Sequence, residues 1–377
     1  MGWQAVYIMS DEGERKNVLR RNLLRGIGSG SLGVSTVAAV EVVGASGGDD
    51  TVRIPTVKRG DTVVKSKEVP ESWYNHTQDS KNAREKLTEE HLDDSGVESI
   101  YSARWSEQFD GKNGLLIKAE INPDTYEDSL PDSKDGIPVR TTAAPDLQFG
   151  NCCHHDDYDP VHGGVAVQTP DDVGSAGFCV TDSDGNKRLL TANHLWGTCQ
   201  DNGGRLLKQH TDAFGEVDEC DTDTDYALVR STSSDGIDNK VYLNGSLKRV
   251  SGYVPPEGLQ ELVSSNETCY STGATTCTTQ GTIKGEGLDS PGYQCVDYGG
   301  SGVKAEIVAG EGDSGGPIFA TKMIDGKKYA TIIAHCSLFS SNGSVGCHWG
   351  SGEKGSPIYG TAFHHLRNDH ELNLCQS

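Results

Sequence analysis

The sequence is poor in basic side chains. Its 377 residues include 33 Lys and Arg against 55 Asp and Glu, so the formal net charge at pH 7 is −22. A chain with this charge is repelled by phosphate backbones, and we therefore expect no nucleic-acid partner. A surface so acidic and so short of lysine predicts instead a halophilic protein that works in concentrated salt.

Methionine and apolar residues are also scarce, at 3 residues and 34% of the chain, whereas glycine is abundant at 47 residues. This composition favours a β architecture with many turns over a helical bundle. The sequence contains no phosphate-binding loop, no dinucleotide fingerprint and no HExxH zinc helix, so we predict no cofactor.

Cysteine is missing from the first 151 residues, although the chain holds 11 cysteines in all. This one-sided distribution divides the chain near residue 150 and predicts an oxidising compartment for the C-terminal part. The run NCCHHDD at 151–157 groups several types of metal ligand, but adjacent residues seldom converge on one tetrahedral ion. We therefore interpret this run as disulfide cysteines in a polar loop, and we predict no metal site.

The first 45 residues resemble an export signal of the twin-arginine type. Five basic residues lie in RKNVLRRNLLRG at 15–26, and an uncharged stretch follows from 26 to 40. Small residues then permit cleavage near Ala45. A membrane anchor is the weaker alternative, because the stretch is short, only weakly apolar and followed by Glu41. We predict a secreted protein without stable membrane insertion after signal removal.

Residues 46–150 predict a small α+β unit, and residues 151–377 predict a β domain. In the first unit, strand-like runs lie before and after a helix-prone segment at 80–92. No catalytic cluster appears there, which favours a pro-region or an accessory domain. Beyond residue 150, short β-like runs are separated by Gly, Asp, Asn and Ser, as in a barrel or sandwich.

The stretch AGEGDSGGPIF at 309–319 surrounds Ser314 with glycines. An attacking hydroxyl needs an imidazole base, and that base needs a carboxylate to fix its tautomer. In LLTANHLWG at 189–197, His194 follows an apolar, strand-like run, and Asp225 stands directly before YALV. Gly312 leaves room for its own N–H and that of Ser314 to face a developing oxyanion.

Asp225 is not the only carboxylate in its loop, because Asp221 and Asp223 precede it in DTDTDYALVR. A carboxylate that orients a catalytic imidazole must be held rigidly, and the mouth of a strand provides that rigidity. Asp225 is therefore our choice. For the acidic stretch from Asp218 to Asp225 as a whole, solvated acidity is the default interpretation and a Ca²⁺ site is the alternative.

The order His–Asp–Ser in TANH, DYAL and GDSGGP resembles the chymotrypsin/trypsin-like serine protease family over residues 160–370. CYSTGATTCTTQGTI at 269–283 is similar to a segment of the bacterial and archaeal extracellular branch, which includes streptogrisins and α-lytic protease. TANHLWG with a twin-arginine leader resembles haloarchaeal members. The resemblance implies an all-β fold of two six-stranded antiparallel β-barrels, with the triad in the cleft between them.

Several positions depart from the family pattern. Trypsins pair the Asp before the serine, here Asp313, with a freed Ile/Val-Val-Gly-Gly terminus, whereas this chain has VHGGV; Tyr270 stands where bacterial relatives often have Arg. Val308 stands where trypsins carry the pocket Asp, which argues against Arg/Lys specificity. The resemblance places the remaining pocket residues where the family has Ser-x-Gly, here Ala334, His335 and Cys336.

The resemblance also implies two disulfides. One joins Cys179 to Cys199 and brackets His194, and the other joins Cys269 to Cys277 in a short hairpin. Together these features predict a monomeric, secreted serine endopeptidase, made as a zymogen, that acts on protein or peptide substrates. The alternative is a catalytically inactive, protease-fold binding or adhesion protein at the cell surface.

Overall fold

The computed structural model of the protein describes residues 42–43, 51–92, 94, 96–121, 126, 130–143, 153–170, 172–197, 201–289, 296–347 and 350–376. These residues belong to one compact unit, Val42–Ser377. The predicted signal region at 1–45 lies outside the described residues, apart from Val42 and Val43. Within the described part, no helix is long and apolar enough to cross a membrane.

The described part of the N-terminal region is a set of strands with one long helix. Its elements are β1 (Val42–Val43), β2 (Thr51–Arg59), β3 (Thr62–Pro70), α1 (Glu71–His91), β4 (Val97–Phe109), β5 (Lys112–Ile121), β6 (Ser133–Lys134) and β7 (Ile137–Ala143). The helix begins nine residues before the predicted segment. Its buried face mixes apolar and polar side chains, so the usual amphipathic signal is weak; the members are Trp73, His76, Thr77, Ser80, Ala83, Arg84 and Leu87.

The middle of the chain contains ten short strands and one 3-10 turn. They are β8 (Val161–Gly163), β9 (Ala166–Gln168), β10 (Val173–Ser175), β11 (Cys179–Thr181), β12 (Lys187–Ala192), the 3-10 turn (Asn193–Trp196), β13 (Leu206–Gln209), β14 (Asp212–Asp221), β15 (Tyr226–Ser231), β16 (Ile237–Leu243) and β17 (Ser246–Tyr253). Strands therefore dominate here, as the spacing of turn residues predicts.

The C-terminal part adds nine strands and two helices. They are α2 (Pro256–Ser265), β18 (Thr268–Gly273), β19 (Cys277–Asp289), β20 (Gly302–Glu306), β21 (Ala309–Gly310), β22 (Pro317–Ile324), β23 (Lys327–His335), β24 (Leu338–Cys347), β25 (Gly350–Thr361), α3 (Phe363–Asp369) and β26 (Asn373–Leu374). The described chain is thus mainly β with few helices, as expected for an all-β fold.

The described strands form two hydrogen-bonded sheets. The smaller has eight strands in the order β10-β9-β13-β14-β15-β12-β11-β26, and the larger links eighteen strands. The larger sheet includes N-terminal strands, because β4 pairs with β19 and β2 pairs with β17. Two separate six-stranded barrels are not confirmed by these pairings, since the N-terminal region extends one of the two sheets.

The apolar segments of β12 and β15, two interior strands of the smaller sheet, are buried on both faces. Successive side chains of a strand point to opposite faces, so each of these two strands contributes to two cores. On β15, Ala227 and Val229 pack into one cluster with Trp196 and Phe214. Tyr226 and Leu228 pack into the other, against residues of the larger sheet. A strand buried on both faces reads as a continuous apolar run, which explains sequences such as YALV.

Candidate active site

Strands β12 and β15 bring two of the predicted residues to one edge of the smaller sheet. The strands are antiparallel, and Ala192 at the end of β12 lies opposite Tyr226 at the start of β15. His194 follows β12 by two residues, on the 3-10 turn. Asp225 directly precedes β15. The end of one antiparallel strand and the start of the next meet at the same edge, so the two side chains lie together.

Asp225 holds His194 through two hydrogen bonds. The Nδ1 of His194 lies 2.7 Å from Oδ2 of Asp225, and the main-chain N–H of His194 donates to Oδ1 at 2.9 Å. Asp225 is 2% exposed and has φ of +54°, in the left-handed region that Asp tolerates better than most residues. The geometry fixes both the position and the tautomer of the ring, because Nδ1 carries the proton that faces the carboxylate.

The same contacts set the charges of the pair. Burial would lower the pKa of His194, but the charge and hydrogen bond of Asp225 outweigh it and leave that pKa above its ordinary value. Burial would raise the pKa of Asp225, and the nearby His194 holds it below its ordinary value. The pair therefore favours a carboxylate beside an imidazole that accepts a proton readily.

Ser314 lies on a turn between β21 and β22. Gly312 and Gly315 have φ of +98° and +87°, which only glycine adopts without strain. A β-carbon on Gly315 would stand 2.9 Å from the main-chain nitrogen of Ala192, so the turn packs directly on the end of β12. The N–H of Ser175 donates to the main-chain oxygen of Ser314 at 2.7 Å. These contacts attach the serine turn to the edge that carries His194.

The segment after β23 supports the same turn. The hydroxyl of Ser314 donates to the main-chain oxygen of Ser337 at 3.3 Å. The N–H of Gly315 donates to the oxygen of Cys336 at 2.7 Å, and the N–H of Cys336 donates to the oxygen of Gly316 at 2.8 Å. Ser314 is 4% exposed in this arrangement.

Asp313 is held by a cage of donors. Its carboxylate accepts from the N–H groups of Thr275 (2.8 Å), Thr276 (3.2 Å) and Gly310 (2.8 Å), and from the hydroxyl of Thr276 at 2.5 Å. Burial raises the pKa of Asp313, and these hydrogen bonds oppose that rise. Three of the four donors come from Thr275 and Thr276 in the STGATTC turn, and the fourth comes from Gly310, three residues before Asp313. The sequence indicated the STGATTC turn only by resemblance, since main-chain donors have no side-chain signature.

The predicted pocket residues do not share one environment. Val308 is 41% exposed, whereas Ala334 and His335 are fully buried and Cys336 is 1% exposed. The structure does not support a pocket role for the side chains of Ala334, His335 and Cys336, because they present no surface to a substrate. They lie at the end of β23 among the cores and the serine turn.

Both predicted disulfides are wrong. Cys179 is bonded to Cys375, beside the pairing of β11 with β26, so it is not the partner of Cys199, which lies outside the described residues. Cys277 is bonded to Cys153.

Cys269 is a buried free thiol. In the β18–β19 hairpin, Cys277 pairs with Gly273 and Cys269 with Gly281. That register separates the two cysteines by four residues of strand, or about 13 Å, too far for a disulfide.

Among the described residues, no group of three or more His, Cys, Asp or Glu side chains is arranged to hold a metal ion. His154 instead stacks on Tyr242, with ring centroids 4.0 Å apart. Part of the acidic stretch at 218–225 forms ion pairs, since Arg188 contacts Asp218 at 2.6 Å.

Comparisons with known proteins return solved structures only. No protein-family model matches the chain, and no curated protein sequence matches it. The chain is similar to the Nocardiopsis protease (21% identity, TM-score 0.40), Thermobifida fusca protease A (20%, 0.42) and Cellulomonas bogoriensis chymotrypsin (20%, 0.39). Each match covers 58% of this chain and 100% of the other.

Proposed function

We propose that the protein is a serine endopeptidase that hydrolyses peptide bonds through an acyl-enzyme intermediate. The observation that carries the proposal is the hydrogen bond between His194 and Asp225, at the sheet edge on which the Ser314 turn is packed. A hydroxyl, an imidazole and a carboxylate in the chain order His–Asp–Ser are the three groups that a catalytic triad requires, and this combination at one edge supports the proposal.

Each side chain has one role in the proposed reaction. Ser314 Oγ attacks the scissile carbonyl carbon, and Nε2 of His194 takes the hydroxyl proton and then passes it to the leaving amine. Asp225 keeps the proton on Nδ1 and stabilises the imidazolium that forms. Water repeats the sequence on the acyl-enzyme and releases Ser314.

The N–H groups of Gly312 and Ser314 would stabilise the negative charge that develops on the carbonyl oxygen. The left-handed φ of Gly312 turns the chain immediately before the nucleophile, and a side chain there would be strained. A hole of this kind supplies about 3–4 kcal/mol per donor to the transition state. Asp313 is the residue between these two N–H groups, and its four hydrogen-bond donors fix it in place.

The N-terminal part extends the proposal to the whole chain. We propose that residues 1–45 direct export by the twin-arginine route, that 46–150 form a pro-region or accessory domain, and that the enzyme acts outside the cell as a halophilic monomer. Protein or peptide chains are its substrates.

Labelling with a fluorophosphonate probe tests the proposal most directly. Folded wild-type protein in molar NaCl should be labelled, and Ser314→Ala should not. Ser337→Ala is the matched control, because Ser314 bonds the main-chain oxygen of Ser337 and that oxygen remains. Wild-type protein that is folded and unlabelled would contradict the proposal and favour the inactive binding protein.

A further inference from the structure

His335 is a polar side chain at a position where stability alone favours an apolar one. It is fully buried at the end of β23, and its Nδ1 has no hydrogen-bond partner among the described residues. Burying a polar group without a partner costs about 1–3 kcal/mol. Its three preceding residues on the strand are apolar and buried. Because His335 lies next to the proposed triad, we looked to its contacts there for a role that offsets the cost of burying its ring.

The ring makes one short hydrogen bond, and that bond is to Asp225. Nε2 of His335 lies 3.0 Å from the main-chain oxygen of Asp225. A carbonyl oxygen only accepts, so Nε2 carries the proton and Nδ1 does not. The hydroxyl of Ser337 lies farther away, 3.4 Å from the same nitrogen.

The oxygen that His335 contacts belongs to a strained peptide. Asp225 has φ of +54°, a conformation that persists in a non-glycine residue only where its surroundings enforce it. The same oxygen accepts the N–H of Asn193 at 3.1 Å, from the residue just before His194. Rotation of this peptide would swing the carboxylate away from the imidazole.

We infer that His335 is a positioning residue, whose Nε2–H holds the Asp225 peptide in the one orientation that aims the carboxylate at His194. This inference rests on the proposed serine-protease function. It replaces the pocket role that the sequence predicted for His335. Asp225 is then clamped at both ends, by His194 at its carboxylate and by His335 and Asn193 at its carbonyl.

The charged groups around the ring are consistent with a neutral donor. Burial lowers the pKa of His335; the charge of Asp225 and the hydrogen bond to its carbonyl raise it, and His194 lowers it further. The net shift is downward, so the ring stays neutral wherever His194 is neutral. A neutral ring donates one hydrogen bond without placing a second positive charge beside His194.

Two substitutions in the full-length chain separate positioning from packing. His335→Gln keeps an N–H donor near the position of Nε2, whereas His335→Met has similar length and no donor. We expect His335→Met to lose about 100-fold in kcat with little change in KM, because a misplacement of about 1 Å has that effect. Its thermal midpoint should be equal or higher. His335→Gln should stay close to wild type in both.

Proton NMR gives a readout that does not require activity. The Nδ1 proton of His194, shared with Asp225, should give a far-downfield resonance that disappears in Asp225→Asn. In His335→Met this resonance should shift or broaden, and in His335→Gln it should persist. If wild type is not labelled by fluorophosphonate, the proposed function fails, and the resonance still decides the inference.

Three results would overturn the inference. The first is a Met variant with wild-type kcat, and the second is an unchanged downfield resonance in that variant. The third is that the Gln and Met variants lose the same amount of kcat and the same amount of thermal midpoint. That result would mean that His335 contributes only through packing. If the Met variant does not fold, His335→Asn replaces it, since the shorter amide withdraws the donor from Asp225; wild-type kcat there would equally overturn the inference.

Discussion

Gly315 lies so close to Ala192 that no side chain fits between the serine turn and strand β12. A β-carbon on Gly315 would also meet the hydroxyl of Thr191 and the main-chain oxygen of Ser175. The separation of the proposed nucleophile from the proposed base therefore depends on close contacts of the serine turn with main-chain atoms of Ser175 and Ala192 and with the Thr191 hydroxyl. Main-chain contacts of this kind are stiffer than contacts between long side chains, which suits a reaction that needs fixed geometry.

Gly315→Ala should destabilise the protein by more than about 3 kcal/mol, because it adds both a steric clash and a strained φ. Labelling of Ser314 should fall with it. Gly326→Ala, in the turn between β22 and β23, is the matched control: its φ is +74°, but no atom lies within 4 Å of the added carbon. That variant should lose only about 1–2 kcal/mol and keep its labelling rate. Equal losses of thermal midpoint in the two variants would show that the contact with Ala192 is unimportant.

Asp225→Asn should lower kcat by about 10⁴-fold, because the wrong tautomer of His194 then faces Ser314. In wild type, activity should fall as pH drops through the raised pKa of His194, where the imidazole becomes protonated. Without the carboxylate that pKa falls, so the acid limb of the residual activity should move to lower pH. The pH dependence of kcat/KM measures both effects, and an unmoved acid limb would assign it to another group.

The same pair predicts how stability depends on pH. The folded pKa of Asp225 is lowered, so its contribution is present above the unfolded value and is lost as pH falls. The folded pKa of His194 is raised, so its contribution is full at low pH and is lost as pH rises through that value. Thermal midpoints of wild type and Asp225→Asn should therefore differ most between these two ranges, and the difference should shrink as pH falls below the lower range or rises above the upper one.

Thr276→Val removes the hydroxyl that donates to Asp313 and should destabilise the protein by about 1–3 kcal/mol at neutral pH. The loss should shrink at low pH, where a protonated Asp313 no longer needs that donor. Thr276→Ser keeps the hydroxyl and should restore most of the stability and the labelling rate. A Val variant as stable as wild type across this range would mean that the three N–H donors suffice.

Glu120→Gln should destabilise the protein by about 3–5 kcal/mol, because it leaves Lys304 partly buried without its counter-charge. Lys304 also contacts the hydroxyl of Tyr101 at 3.0 Å, so this cluster links the N-terminal strands β4 and β5 to β20 within the larger sheet. Asp135→Asn breaks the exposed pair with Lys86 and should leave the thermal midpoint unchanged. Calorimetry that gives similar midpoints for both variants would refute a structural role for the Glu120–Lys304 cluster.

Thermal midpoint and activity should rise together from dilute buffer to molar NaCl. The net charge is −22, and at 0.01 M salt, where the Debye length is about 30 Å, the excess carboxylates repel one another across the whole molecule. At 1 M that length is about 3 Å, so only nearest neighbours still repel. A flat thermal midpoint across this range, measured with disulfides intact, would show that the acidity is not a halophilic adaptation.

The sequence was sufficient to predict those parts of the structure that depend on a local pattern of residues. GDSGGP predicts a turn that only glycines can make, and Gly312 and Gly315 do adopt left-handed φ values. The apolar runs before His194 and after Asp225 predict strands, and their antiparallel pairing places the two residues together. The element types of the N-terminal region were also predictable, although the start of α1 was not.

Contacts between distant segments were not predictable. Cys375 lies 196 residues from Cys179, and nothing in the spacing favours that partner over the others. The N–H donors that hold Asp313 are main-chain groups, and the side chains of those residues do not indicate where the N–H groups point. His335 stands at the end of an apolar run, so its contact with Asp225 depends on how two sheets pack, which a single strand does not encode.

The Cys179–Cys375 disulfide makes a covalent ring of the chain segment that holds His194, Asp225 and Ser314. One peptide-bond cut inside this ring opens it but releases no fragment, since both pieces stay joined through the two sulfurs. Cys153–Cys277 encloses His194 and Asp225 in a second, overlapping ring. A molecule nicked once in the shared stretch would run as a single species until it is reduced. A single cut there, whatever protease makes it, therefore leaves the segments that carry His194, Asp225 and Ser314 covalently connected.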